Sequence, residues 1–262
     1  VDGLTPEALP SMAQDVLAHR KTEVEAFAGQ VIQGAQDEAW RNGKILLVVD
    51  TDGRKDVERR TFSFMFEHQV EGIIYSKWVH GSITPPDELG RMPSVLVNCY
   101  DECGRFPAVV PDEVQGGATA TRLLLEAGHR RIAFVNDAAP SPASVGRLAG
   151  YKAALARFDV DFDPSLVLSV TADQEGGYGA AAQVLATGAT GVFCHNDRTA
   201  LGLYDALRES GKRMPDDISV VGFDNQEVIS AHMHPALTTV GLPQYDLGVM
   251  GVRTLLRRCG AD

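Results

Sequence analysis

Between Gly191 and Asn225 the chain reads GVFCHNDRTALGLYDALRESGKRMPDDISVVGFDN, and its chemically capable residues fall in two clusters, His195-Asn196-Asp197 and Asp224-Asn225. Each cluster follows a short apolar run, Gly191–Cys194 and Ile218–Val221, of a length that suits buried strands. Ala200, Leu201, Tyr204 and Leu207 recur at helical spacing between them, Asp197 is placed to cap the first turn, and Gly211 and Pro215 mark the stop. The unit is β-α-β, and such crossovers are right-handed, so both clusters reach the carboxyl edge of one parallel sheet. Open parallel sheets bind ligands at that edge. Taken singly, Asp197 is a helix cap and Asp224 a turn former; their arrival at one edge favours a functional reading.

The chemistry available is hydrogen bonding to a polar ligand. Arg147 offers a planar fork of donors and Asp224 a pair of acceptors, a combination that can grip adjacent hydroxyls. Buried polar groups left unpaired cost about 1–3 kcal/mol each, so such a site selects ligands with matching hydroxyls. Trp78, Tyr75, Tyr100 and Phe27 lie at or just past strand ends, where an aromatic face can stack on a sugar ring, although core packing is the commoner fate for Phe27 and Tyr75. Asp52 and Asn98 close strands in the same way.

These residues require a repeating β-α frame. An amphipathic helix from Phe27 closes at Asn42-Gly43, Ile45–Val49 reads as a fully apolar strand, and a helix over Lys55–His68 leads to the strand Gly72–Tyr75. The strand Ser94–Val97 follows, and Arg105–Asp112 is read as a crossing between domains. A helix over Glu113–Glu126, strands at Arg131–Val135 and Leu166–Val170, a helix carrying Arg147 and another near Tyr178–Ala186 rebuild the alternation. Fully apolar strands have both faces covered, hence α/β with parallel sheets between helices. With 262 residues, 44% of them apolar, the chain has room for two such halves, and no run reaches a membrane span. A net charge of -11 repels phosphate backbones, so this chain is a poor nucleic-acid binder by itself. Cys99, Cys103, Cys194 and Cys259 lack metal-type spacing and suit reduced thiols in a cytoplasmic protein, and His232 and His234 have no further ligands near them, so no metal is expected.

Three linked motifs stand in one order: Asn196-Asp197 with Ala200-Leu201-Gly202, PDDISVVGFD from Pro215 to Asp224, and PALTTV from Pro235 to Val240. FAGQVIQGAQDEA at 27–39, VDTDG at 49–53, VEGIIY at 70–75, GHRRIAFV at 128–135 and GRLAGY at 146–151 accompany them. Together, from Phe27 to about Leu256, they resemble the effector-binding domain of lactose-repressor-type (LacI/GalR) transcription regulators. The resemblance implies two Rossmann-like subdomains of the periplasmic-binding-protein-like kind, residues 1–110 plus 241–262 and residues 111–240, with a ligand cleft between them. It also implies a homodimer, a small-molecule effector, by preference a sugar, no cofactor, and operator DNA bound only through an N-terminal helix-turn-helix that these residues do not contain. By position in their motifs Arg147, Asn196 and Asp224 match the family's main effector contacts. Sugar-binding members often carry an aromatic residue where Ala172 stands, so Gln174 or His195 would replace a stacking contact with a polar one.

Two alternatives stay open. A sugar-binding protein of a transport system would share the fold. A nicotinamide-dependent enzyme is suggested only by Gly177-Tyr178-Gly179-Ala180-Ala181-Ala182, a GxGxxA match set too far from the preceding strand for a tight phosphate turn. The chain starts at Val1, which reads as a trimmed or processed product. Ahead of Phe27 the sequence is more charged than a central strand and its loop should be. Strand order 2-1-3-4-5 nevertheless demands such a strand, and Val16–Ala18 is assigned to it, between Ile45–Val49 and Gly72–Tyr75, with His19–Glu25 as the loop. The rival is a local reading-frame slip before Phe27.

Overall fold

A computed structural model describes residues 23–260 of the chain. Two compact units emerge, one from the residues up to Pro111 together with those from Pro243 onward, the other from Asp112 to Leu242.

The second unit contains α3 (Glu113–Glu126), β4 (Ile132–Asp137), α4 (Pro142–Arg157), β5 (Val167–Val170), α5 (Gln174–Thr187), β6 (Gly191–Cys194), α6 (Asp197–Glu209), β7 (Ser219–Asp224), the single turn α7 (Glu227–Ser230) and β8 (Thr238–Gly241). Its five strands are all parallel, in the order β5-β4-β6-β7-β8, which is the expected 2-1-3-4-5 pattern. Alternation along the strands divides the core. Ile132, Phe134, Phe193, Val221 and Phe223 pack with α3 and α4 on one face, and Ala133, Val135, Val192, Cys194 and Val220 pack with α5 and α6 on the other. Phe134 and Phe193 stack at 4.4 Å between ring centres, and the buried Tyr151 hydroxyl donates to the Ile132 carbonyl, so the ring is accepted without an orphaned polar atom.

The first unit contains α1 (Glu23–Arg41), α2 (Lys55–Glu67), β1 (Ile73–Ser82), β2 (Ser94–Tyr100), β3 (Ala108–Val109) and α8 (Gln244–Arg258). Its described strands form a parallel sheet in the order β1-β2-β3. Ile45–Val49 is a correction to the sequence reading: the run forms no strand, and Ile45 is 84% exposed. An apolar run becomes a strand only where a neighbour takes up its backbone groups, and none of the described strands flanks it. The neighbour assigned from sequence, Val16–Ala18, lies outside the described residues, as does the first part of the loop expected over His19–Glu25; its last three residues, Glu23–Glu25, are helical and belong to α1, a second correction. β1 also runs past Tyr75 to Ser82, with a register shift between Ser76 and Gly81. The helix expected near Tyr178–Ala186 begins earlier, because Asp173 caps it by accepting from the Gly176 amide at 2.7 Å.

Glycines bring α3 and α4 into backbone contact. A Cβ on Gly150 of α4 would lie 2.1 Å from the Val114 carbonyl oxygen, and one on Gly117 of α3 would lie 2.3 Å from that of Arg147. Both contacts are backbone, so neither can yield cheaply, and the missing side chains are what let α3 and α4 touch along their length. Gly150→Ala is expected to cost the second unit at least about 2 kcal/mol by overpacking; urea unfolding checks this, and wild-type stability would contradict it.

Candidate functional site

At the carboxyl edge of the five-stranded sheet, Arg147 is drawn inward from α4 to 4% exposure, and the fold supplies acceptors for it from three directions. Nε donates to Glu113 Oε2 at 2.9 Å, Nη1 donates to the His195 carbonyl, and Nη2 lies 3.7 Å from Asp224 Oδ1. The guanidinium plane rests 3.6 Å above the Phe223 ring. Removing a guanidinium from water is costly unless it is paired and bonded, and here every nitrogen faces an acceptor.

Asp224 ends β7 with φ of 101°, and Asn225 follows with φ of 53°. Both lie in the region that favours glycine, a strain of about 1–3 kcal/mol per residue that is held where structure over-determines it. Burial pushes the Asp224 carboxyl up to about 7; Arg147 opposes the shift and Asp197 adds to it. Its side chain is 17% exposed, so its acceptors can still be reached.

His195 is buried, and its Nδ1 lies 3.0 Å from Asn136 Oδ1. The Asn136 amide is oriented by its own donation to the Ser144 carbonyl, which makes Nδ1 the protonated nitrogen and leaves Nε2 as an acceptor. Burial, then Arg147, pushes the imidazole down to about 3, so the ring is neutral at pH 7.

The helix cap read from sequence moves by one residue. Asn196, not Asp197, caps α6, accepting from the Thr199 amide and hydroxyl, and its Nδ2 donates to the Ala172 carbonyl. Asp197 is fully buried and accepts instead from the Gln226 amide at 2.7 Å and the Thr239 hydroxyl at 2.6 Å, tying the start of α6 to the ends of β7 and β8. Burial raises its carboxyl to about 6 against those two bonds. Both residues can cap, and the one nearer the strand end took the cap. Gln174 is exposed in the first turn of α5 and donates to Asp205 of α6, so its side chain is held against a helix surface. Gly177 falls inside α5, where a Cβ would lie 2.0 Å from the Thr199 carbonyl oxygen, so the GxGxxA match is a helix-packing feature and forms no phosphate-binding turn.

In the first unit, Asn98 is buried with φ of 56° and its Nδ2 donates to the carbonyls of Lys77 and Trp78, at 3.0 and 3.1 Å, bridging the irregular stretch of β1. Trp78 therefore sits within β1 and not in a loop beyond it, and it is 43% exposed. Tyr75 is half-buried, its hydroxyl donates to Glu58 Oε1 at 2.7 Å, and burial then Glu58 raise it further above its ordinary value. Tyr100 is half-buried and meets His80 edge-on at 6.0 Å. Asp52 is exposed in a turn in which its amide donates to Asp50. Phe27 lies in α1, and its side chain lies outside the described residues. Glu113 was missed: an acid at the first position of a helix reads as a complement to the helix dipole, and nothing in its spacing shows that it meets Arg147.

Comparison with known proteins places this geometry. The family described as periplasmic binding protein-like domain matches residues 121–262. The HTH-type transcriptional repressor PurR of Vibrio atlanticus is 31% identical over 236 residues, 88% of this chain and 70% of that protein. The chain belongs to the LacI/GalR-type family of transcription regulators, of which it carries the effector-binding domain. A LacI-family regulator from Rhizobium etli superposes with a TM-score of 0.78 at 28% identity, covering 92% of this chain and 89% of that one. A LacI-family regulator from Enterococcus faecium with bound ribose gives 0.69 at 28% identity, with 92% and 88% covered. Residues 1–39 match a different description, the ketopantoate reductase PanE/ApbA C-terminal domain.

The raised carboxyl of Asp224 sets a pH dependence. A group whose folded value exceeds its unfolded value near 4 favours the folded state fully below that value, and this contribution is lost as pH rises through about 7. Asp224→Asn is therefore expected to gain on the wild type between pH 5 and pH 8, by roughly 2–3 kcal/mol. Urea unfolding at both pH values measures the difference, and a constant difference would contradict it.

Proposed function

We propose that this chain senses a sugar, which it binds through Arg147 and Asp224 at the carboxyl edge of the second unit's sheet, and that in a cytoplasmic homodimer this binding modulates operator recognition by a helix-turn-helix. The observation that carries the reading is the pairing of a buried arginine with a partly reachable, strained aspartate at the edge where parallel sheets hold ligands. Asp224 accepts from one hydroxyl, Arg147 orders it, and the neutral His195 ring offers Nε2 as a further acceptor. Asn196 acts by holding the start of α6 in place. Within the first unit, Trp78 carries an exposed aromatic face suited to stacking on a sugar ring, and Asn98 braces the strand that holds it. Kinship with a regulator crystallised with ribose supports the sugar class, and the curated relative being a transcriptional repressor supports the role.

A thermal-shift screen of D-ribose, D-glucose, D-galactose and D-xylose identifies the ligand, since a sugar at 100 times its dissociation constant adds about 2.7 kcal/mol. Calorimetry on Asp224→Ala with that sugar is expected to show a loss of about 2 kcal/mol or more, roughly thirtyfold, because hydroxyls and Arg147 are left unpaired. Unchanged affinity would remove Asp224 from the site.

A further inference from the structure

The partner of Arg147 bears on ligand chemistry. Glu113 is the first residue of α3, 5% exposed at its side chain, and its Oε2 receives the Arg147 Nε proton at 2.9 Å. Asp112 caps the helix from outside, so Glu113 is not needed for that purpose and its side chain is turned into the fold. The positive end of α3 and the guanidinium both lie beside it.

A buried arginine at a ligand edge would ordinarily be the place for a phosphate or carboxylate, which a planar fork binds in bidentate fashion. Here two of the three guanidinium nitrogens already donate inside the fold, and two carboxyl groups lie beside the charge. Nε is held by Glu113, Nη1 by the His195 carbonyl, and Nη2 faces Asp224, while the ring of Phe223 covers one side of the plane. The group left within reach is the Asp224 carboxyl, which accepts hydrogen bonds and, once ionised, repels anions. Arg198, in the first turn of α6, is half-buried and also engaged.

We infer that Glu113 sets the charge class of the effector: by pairing with the Arg147 charge from inside the fold, it makes this edge a site for neutral, hydroxyl-bearing ligands and disfavours phosphorylated or carboxylated ones. The inference rests on the sugar site built from Arg147 and Asp224. Glu113 is a positioning residue, acting on the ligand through Arg147.

The test uses two probes on the whole chain, D-ribose 5-phosphate and inorganic phosphate, each titrated calorimetrically at fixed ionic strength into wild type and Glu113→Gln. Wild type is expected to bind neither. In Glu113→Gln the guanidinium loses its counter-charge, and phosphate affinity is expected to rise at least tenfold, with a matching rise in melting temperature on adding phosphate. The gain should vanish in the Glu113→Gln, Arg147→Gln double variant. Phosphate or ribose 5-phosphate binding to wild type that is lost in Arg147→Gln would overturn the inference, and this arm does not depend on Glu113→Gln folding. A folded Glu113→Gln that gains no phosphate affinity would overturn it too. Neither result touches the Asp224→Ala experiment, so failure of the charge rule and failure of the ligand site are told apart.

Discussion

A guanidinium taken out of water is the constraint on which the second unit is arranged. Arg147 can be 4% exposed only because a carboxylate, a backbone carbonyl and an aromatic face come to it from three separate elements. Each supplier is located by a different physical requirement. Glu113 arrives because α3 and α4 touch through glycines, the His195 carbonyl because β6 ends there, and Phe223 because β7 alternates its side chains between the two faces of the sheet. Removing any one leaves a buried charge short of a partner, which costs more than the pair contributes when intact.

The same arrangement links stability to function with opposite signs. Asp224 sits in backbone strain and carries a carboxyl that burial drives toward neutrality, both of which count against stability. Such a residue is retained where its acceptors have work to do, and a ligand hydroxyl is the natural partner. Asp197, buried more deeply, is different. Its two short bonds go to the protein itself, and it holds the edge together instead of reaching out.

Much of this was legible from residues alone, and the reasons differ by element. The strands of the second unit announce themselves because both of their faces are covered, which leaves unbroken apolar runs such as Val192–Cys194 and Val220–Val221. Arg147 and Asp224 were found through motif position, and their separation of 77 positions hides the contact that makes them a pair. Ile45–Val49 has the same apolar signature as those strands and forms none, since periodicity reports what a segment could bury and not whether a neighbour is there to pair with it. Asn196 and Asp197 both have capping side chains at adjacent positions, so only geometry decides between them. Glu113 was invisible because an acid at a helix start has a sufficient local reason to exist.

The central claim is that Arg147 is held as a buried, ion-paired guanidinium whose Nε–H is bonded to Glu113. The side-chain Nε–H resonance of Arg147, assigned by its loss in Arg147→Gln and followed in 15N-labelled protein, reports this directly. A guanidinium buried and bonded to Glu113 predicts a resolved Nε–H signal that exchanges slowly with solvent at pH 7 and collapses into the fast-exchanging set in Glu113→Gln. An Nε–H that exchanges as fast as those of surface arginines, or that is unaffected by Glu113→Gln, would contradict the account.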